Sequence, residues 1–241
     1  MSDAKSSFEC AVDARLFHAA SLFVTDEVTR YYFRGVHVAP HRSGDGAVLS
    51  ATTGKIGIQI YDQNGIAHGE AIVQLDKAVL AHCKKCAHHG NFAAGRIVVT
   101  DGLAAMCDFG NVPATESLAD AKGVGGMVRL SQGNCLIDGT FPDLSRVMPK
   151  QIYPEIGGAA FKGQLIKPFA EAFIERKEEN SGGVAIFPGS VEADTSPHIV
   201  LPTHGPMVGI AVGVIMPMRH NLDANSLPEW YKQMASLFWV E

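Results

Sequence analysis

Two cysteines and two histidines lie close together in one stretch of the chain, Cys83-Lys-Lys-Cys86-Ala-His88-His89. Thiolate and imidazole groups are the usual ligands of tetrahedral zinc, so this spacing permits a zinc site. The chain has no second Cys-x-x-Cys pair to complete the ligand set. In a continuous helix, Cys83 and Cys86 would instead fall on the apolar stripe, where thiols act as small hydrophobic side chains. We therefore expect no metal and no cofactor, and a metal-binding or catalytic use of these cysteines is the weakest of the functions considered.

The other reactive side chains do not form a catalytic set. The 10 histidines include no His-Glu-x-x-His motif, and no serine or cysteine stands in a nucleophile-elbow pattern. Gly123-x-Gly125-Gly126 is followed by no helical pattern, so it does not predict a phosphate-binding loop. We expect a protein that is not an enzyme.

A cluster of basic residues has the spacing of one helix face. Its members are Lys77, Lys84, Lys85 and His88, and Arg15 lies on the polar side of an earlier helix. Such a face suits contacts to duplex phosphates without reading of the bases. The plain alternative is a solvated helix face. The net charge of −5 argues against a wholly basic nucleic-acid binder but permits a local basic patch.

Length and composition indicate a globular protein. The 241 residues suffice for one large or two modest domains, and 46% of them are hydrophobic. Met1–Ser7 carries no apolar signal-peptide core, and the run Met207–Met218 is about half as long as the roughly 20 residues of a membrane span. We expect a cytoplasmic protein whose 5 cysteines are reduced.

Apolar spacing predicts an α+β chain built from a repeated module, which we define as one helix followed by three strands. In the first module we expect an edge strand at Phe8–Val12, a helix capped by Asp13, a strand within Thr25–Val38 and a hairpin at Ser43–Gly46. Strands over Ala47–Ala51 and from Ile56 to Ile60 complete that module.

The pattern recurs twice. The second module opens with Ala71–Val73 and has a helix over about Asp76–His88. Its predicted strands are at Arg96–Thr100, Leu103–Phe109, Met127–Leu130 and Asn134–Ile137. The third has a strand candidate at Ala159–Gly163 and a helix with Pro168 in its first turn, where a missing N–H does no harm. Its three strands are predicted at Val184–Phe187, His198–Leu201 and Met207–Met216.

Four short stretches resemble one protein family, the beta subunit of bacterial DNA polymerase III, the DNA sliding clamp. Arg30-Tyr-Tyr-Phe-Arg-Gly-Val36 is similar to its Arg-Tyr-Tyr-Leu-Asn-Gly strand. Ala51-Thr-Thr-Gly-Lys-Ile56 resembles its Ala-Thr-Asp-Gly-His-Arg-Leu turn, with Thr53 in the place of the aspartate. Cys135–Lys150 resembles its inter-domain junction, and Val214–Arg219 resembles its closing residues.

The resemblance implies a DNA-clamp fold of repeated modules in a shortened or divergent member. We expect a two-module domain at residues 8–149, a shortened second domain at 150–219 and a C-terminal tail with a short helix at 220–241. The family ring contains twelve modules, so three modules per chain imply four subunits. Three subunits would serve if the second domain is complete but divergent.

The resemblance also implies an apolar groove that accepts short peptides of DNA polymerases and clamp loaders. The positions that match the groove are Phe33, Thr52, Gly54, Ile56, Pro149, Val214, Met216, Pro217 and Met218. The alternative is that these residues fill a core between modules, and for Phe33 and Ile56 the two interpretations are equally supported.

The resemblance implies a DNA sliding clamp-like processivity factor. Its subunits would self-associate into a ring that encircles duplex DNA independently of sequence. The competing interpretation is a non-encircling clamp-like interaction module or clamp regulator. It is favoured by four glutamates in or after the third helix, which would repel phosphate: Glu171, Glu175, Glu178 and Glu179.

The tail beyond Arg219 has its own pattern. Ser226-Leu-Pro-Glu229 forms a helix start with a capping box. Gln233-Met-Ala-Ser-Leu237-Phe238 resembles the Gln-x-x-Leu-Phe peptides by which partners bind bacterial clamps, with three residues instead of two between the glutamine and the leucine. Gln233, Leu237 and Phe238 therefore predict that the tail docks in the groove. The alternative is an amphipathic helix that covers an apolar face elsewhere.

Overall fold

The computed structural model describes residues 8–88, 95–100, 102–107, 127–129, 133–149, 159, 161–173, 183–189, 196–205 and 207–218. The helices in this part of the chain are α1 (Ala14–Ser21), α2 (Lys77–His88) and α3 (Gly163–Phe173), with 3-10 helices at Tyr31–Phe33 and Leu144–Arg146. The first six strands are β1 (Glu9–Asp13), β2 (Val36–Pro40), β3 (Ala47–Thr52), β4 (Ile56–Asp62), β5 (Ile66–His68) and β6 (Ala71–Val73). The others are β7 (Arg96–Thr100), β8 (Leu103–Cys107), β9 (Met127–Arg129), β10 (Leu136–Ile137), β11 (Val184–Pro188), β12 (His198–Pro202) and β13 (Ala211–Ile215).

The strands form two antiparallel sheets. One has the order β5-β1-β7-β8-β9, and the other has the order β10-β6-β2-β3-β4-β13-β12-β11. The helix α1 packs against α2, α3, β3 and β4, so the three helices belong to one layer. Within the described residues, each helix is followed in sequence by at least three strands: β2 to β6 after α1, β7 to β10 after α2, and β11 to β13 after α3. The predicted α+β class and its repeated module are confirmed.

The first strand is not the edge strand that we predicted. β1 pairs with β5 on one side and with β7 on the other. Its middle residues Cys10, Ala11 and Val12 are fully buried, because sheet neighbours and helices cover them. Asp13 does cap α1 as predicted, since its carboxylate accepts the N–H of Arg15 at 2.7 Å.

The aromatic segment that we assigned to a strand folds differently. Only Val36–Pro40 is a strand, and Tyr31–Phe33 forms a 3-10 helix. The rings of this helix meet edge to face, with centroids 5.7 Å apart for Tyr31 and Tyr32. Aromatic residues favour strands because their side chains pack on a half-buried pleated surface. Here the aromatic rings pack against one another instead, so the segment does not need to be a strand.

The third helix begins earlier than predicted. It starts at Gly163, so Pro168 is its sixth residue rather than part of its first turn. Of the strand candidate at Ala159–Gly163, the described residues 159, 161 and 162 are not in a strand, and Gly163 belongs to the helix. The proline removes one helical hydrogen bond. Burial of Phe169 and Phe173 offsets that loss, because both rings are at most 1% exposed. Phe169 meets Phe23 edge to face at 4.7 Å, which anchors α3 on the core.

The third module joins the first through one strand pair. β13 runs antiparallel to β4 in a register that pairs Ile215 with Ile56 and Ala211 with Ile60. The predicted strand from Met207 begins only at Ala211, because 207–210 forms a turn with Gly209 at φ +79°. The division into domains at residue 150 stays a prediction.

No helix in the described residues is long and apolar enough to span a bilayer.

Candidate functional site: the junction edge

The residues predicted for the groove gather at one edge of the eight-stranded sheet, which we call the junction edge. It is the edge where β4 begins and where β11 and β13 end. Its members come from four separate segments: Phe33; Thr52, Gly54 and Ile56; Pro149; and Val214, Met216, Pro217 and Met218. Strand pairing joins the second and fourth segments directly, since Val214 lies opposite Gly57 and the N–H of Met216 donates to the carbonyl of Lys55 at 3.0 Å.

The turn between β3 and β4 is held rigid by threonine hydroxyls. The Thr52 hydroxyl donates to the Ile56 carbonyl at 2.8 Å and accepts the N–H of Gly54 at 2.9 Å. Thr53 accepts the N–H groups of Lys55 and Ile56, each at 3.3 Å. A hydroxyl can replace an aspartate in such a turn, so the substitution at Thr53 keeps the turn intact. Gly54 has φ +83°, a conformation that other residues rarely adopt.

Phe33 reaches this turn from the 3-10 helix. A Cβ added at Gly54 would lie 3.4 Å from Cε2 of Phe33 and 2.6 Å from Nη1 of Arg30. The guanidinium of Arg30 lies 5.7 Å from the centroid of the Phe33 ring, in a cation–π contact. Sequence reasoning missed Arg30 as part of this surface. Arg30 is the first residue of the Arg-Tyr-Tyr motif, so the sequence did single it out. Because we assigned that motif to a strand, however, we could not predict that the Arg30 side chain contacts Phe33.

The members of the junction edge differ strongly in exposure. Met216 and Met218 are each 38% exposed, whereas Phe33, Thr52, Ile56 and Val214 are at most 6% exposed. The buried members therefore pack the joint between the first and third modules. The two methionines supply flexible apolar side chains that a ligand could contact.

Pro149 lies at the same edge, two strands away from β13. Its ring packs against Gly189, which follows β11. Pro188 at the end of β11 pairs with His198, and His198 pairs with Ile215. This register, together with the contact between Pro149 and Gly189, places Pro149 at the same end of the strands as Met216.

Residues 135–149, which we call the strap, pack back onto the same region. Phe141 stacks on His37 with centroids 4.8 Å apart and planes 4° apart, and its ring lies 6.5 Å from that of Phe33. Burial lowers the pKa of His37, although Glu70 lies 3.6 Å away and opposes that shift. The strap therefore links the outer face of β2 to the junction edge.

The candidate DNA contacts lie in the helical layer. Lys77 and Lys84 are exposed on α2, two turns apart on one face. Arg15 lies on α1, where its guanidinium pairs with Asp13 at 2.9 Å. Lys85 and His88 belong to α2 by their backbone, but their side chains fall outside the described residues.

Cys83 belongs to the hydrophobic core and is fully buried, as expected for the apolar stripe of α2. The side chain of Cys86, residue His89 and the whole tail, including Gln233, Leu237 and Phe238, lie outside the described residues.

The chain matches no protein-family model and no curated protein. It is similar to solved structures of bacterial clamps. These include a DNA polymerase sliding clamp from Pseudomonas aeruginosa, at 17% identity and TM-score 0.54, over 91% of this chain and 69% of that one. The beta chain of DNA polymerase III from Streptococcus pneumoniae TIGR4 matches at 10% identity and TM-score 0.53, over 91% and 67% of the two chains. A sliding clamp from Bartonella birtlesii bound to griselimycin matches at 13% identity and TM-score 0.50.

These structures belong to the same protein family that the four sequence motifs resemble. The identities of 10–17% are too low to transfer an activity, but the coverage extends over nearly the whole chain. The predicted clamp fold is confirmed: the chain has the fold of the bacterial DNA polymerase III beta sliding clamps.

Proposed function

We propose that this chain is a clamp-like processivity and docking factor of DNA replication that binds partner peptides at the junction edge. One observation carries the proposal. Four separate segments converge at that edge, and they present Met216 and Met218 beside a rigid turn. Exposed apolar side chains that stand on a well-packed part of the fold are typical of surfaces that bind short linear peptides.

The width of the junction edge suits a peptide of about six residues. From β11 to β3 the edge crosses β12, β13 and β4, which is four strand spacings. At about 4.8 Å per spacing, the edge measures roughly 19 Å. An extended peptide covers this distance with about six residues. The segment from Gln233 to Phe238 has that length.

The binding test uses a labelled peptide with the sequence Gln-Met-Ala-Ser-Leu-Phe and fluorescence anisotropy. Met216→Glu should weaken binding by about tenfold, because a charge in the apolar contact must be desolvated. Val208→Glu is the matched control, since Val208 is 51% exposed just before the other end of β13. Equal loss in both variants, or no loss in either, would contradict docking at the junction edge.

We further propose that the chain's own tail occupies this surface and competes with partner peptides. Replacing Leu237 and Phe238 by alanine should then raise the affinity for the labelled peptide, because the competing segment is removed. An unchanged affinity would leave the tail as a helix that packs elsewhere.

The second part of the proposal is a ring of copies around duplex DNA, bound through Lys77, Lys84, Lys85 and His88. Such binding is electrostatic and should fall steeply with salt. Charge reversal of the three lysines should abolish retention on closed circular DNA, whereas Lys55→Glu at the β3–β4 turn should not. Retention that survives the triple reversal would show that α2 does not face the duplex.

A specific observation favours the non-encircling alternative. The outer edge of β4 is already paired with β13 of the same chain, so it cannot accept a strand of a second copy. Within the described residues, four strands pair on one side only, β5, β9, β10 and β11, and ring closure would have to use edges of this set. Light scattering at micromolar concentration separates the two functions, because a monomer cannot encircle DNA.

A further inference from the structure

A cavity of about 240 Å³ lies on the helical side of the joint between the first and third modules. It is far along β4 from the junction edge, next to Tyr61 and Asp62 at the end of that strand. We call it the seam cavity. None of its lining residues belongs to the predicted groove.

Two modules build the seam cavity together. Its apolar wall comes from α1, from α3 and from the turn before β13: Leu16, Ala19, Ala172, Phe173, Met207 and Ile210. Ala19, Phe173 and Met207 are at most 5% exposed, so much of this wall belongs to the core. The cavity therefore exists only while the third module is docked on the first, and such interfaces are preferred places for small-molecule sites.

The charged groups of the lining are three carboxylates, those of Asp13, Asp62 and Glu171, against the guanidinium of Arg15, and the imidazole of His18 also lines the cavity. Asp13 and Arg15 neutralise each other through a contact of 2.9 Å. Glu171 lies on the α3 side, with Lys167 at 3.5 Å on the surface. Asp62 is only 4% exposed, so its carboxyl lies below the solvent boundary.

Asp62 is held in place by backbone donors. It accepts the N–H of Asp13 at 2.8 Å and the N–H of Asn64 at 3.2 Å. Burial raises the pKa of Asp62, and these donors together with the more distant Arg96 only partly oppose that effect. A cation placed in the cavity would compensate this buried carboxyl.

We propose that the seam cavity binds a small organic cation, an amine or amidine that carries one aromatic ring or a short aliphatic chain. The apolar body lies between α1 and α3, and the cationic head points to the carboxylates of Asp62 and Glu171. An apolar cavity of about 150 Å³ already accepts benzene, so the seam cavity has room for a ring with a short charged arm. Because the ligand touches both modules, its binding stabilises their docking.

The experiment compares three probes of nearly equal shape on the full chain: phenethylamine, the neutral 2-phenylethanol and the anionic 3-phenylpropionate. Ligand-observed NMR measures binding, and the melting temperature measures stabilisation, because a ligand that binds only the folded state raises it. A ligand this small binds at about millimolar strength. We expect phenethylamine to bind at least fivefold more tightly than either analogue.

Variants test the location. Ala172→Leu should abolish phenethylamine binding because its side chain fills the cavity, and Ala170→Leu on the same helix is the matched control that should bind normally. Glu171→Gln, at an exposed position, should weaken the amine several-fold and leave 2-phenylethanol unchanged. It therefore keeps the test valid if Ala172→Leu fails to fold. Equal binding of all three probes, no binding of the amine, or full binding to Ala172→Leu would each overturn the proposal.

Discussion

Replacing Gly213 by alanine tests how the third module is held on the sheet. Gly213 lies in β13, and an added Cβ would collide with the ring of Phe169 on α3, at 2.9 Å from Cδ1 and 3.1 Å from Cζ, with Cε1 closer still. Ordinary contacts at this position require at least 3.4 Å. The ring cannot easily withdraw, because it is fully buried and meets Phe23 at 4.7 Å.

Overpacking of this kind costs about 1–3 kcal/mol of unfolding free energy. In a chain of this size, each kcal/mol lowers the melting temperature by about 2–4 °C. Urea unfolding followed by circular dichroism measures the change in free energy. Gly163→Ala is the matched control, because no atom lies within 4 Å of its added Cβ at the start of α3. We expect that control to be neutral or slightly stabilising.

A double-mutant cycle with Phe169→Leu isolates the contact. That change alone should cost about 1–2 kcal/mol through the space that it leaves. With the smaller side chain present, the methyl group of Gly213→Ala has room, so the double variant should be more stable than the sum predicts by at least about 0.5 kcal/mol. Additive effects, or a Gly213→Ala variant as stable as Gly163→Ala, would refute the packing of α3 on β13.

Three further outcomes follow from the structure. Thr52→Val should destabilise the chain by about 1–2 kcal/mol in urea unfolding, because the Ile56 carbonyl loses one of its two donors and the Gly54 N–H loses its acceptor. Thr52→Ser should retain most of the stability. Burial in the fold lowers the pKa of His37 from 6.5, with the charge of Glu70 opposing part of the shift, so the folded state favours the neutral imidazole and its stability should fall as the pH drops below about 6.5. His37→Gln should flatten this part of the curve of stability against pH. An unchanged curve would exclude His37 as its source. Asp76→Ala should cost about 1 kcal/mol by removing the N-cap of α2, and Asp76→Asn should cost less, as thermal unfolding would show.

Local elements could be predicted where neighbouring residues decide the conformation. Asp13 caps α1 because its carboxylate needs only the next turn of its own helix, and that signal is visible in the sequence. The hydrophobic stripe of α2 likewise placed Cys83 in the core. The four motifs predicted the clamp fold, since they mark a turn, a strap and two strand ends whose spacing is local.

Predictions failed where partners distant in the sequence decide the outcome. β1 resembled an edge strand, but β7 pairs with its second side from more than eighty residues away. Pro168 is tolerated inside α3 because tertiary burial of Phe169 offsets the lost hydrogen bond.

At the candidate site, the resemblance carried by the sequence motifs named the residues that the fold brings to the junction edge and predicted the turn at Thr52 and Gly54. Only the tertiary structure decided which members face the solvent. Ile56 and Val214 are buried within the paired strands β4 and β13, whereas Met216 follows the last residue of β13 and is exposed, although its N–H still bonds to the carbonyl of Lys55. The burial of these side chains depends on pairings between residues far apart in the chain. The docking of the third module on the first also creates the seam cavity, which no local sequence pattern predicts.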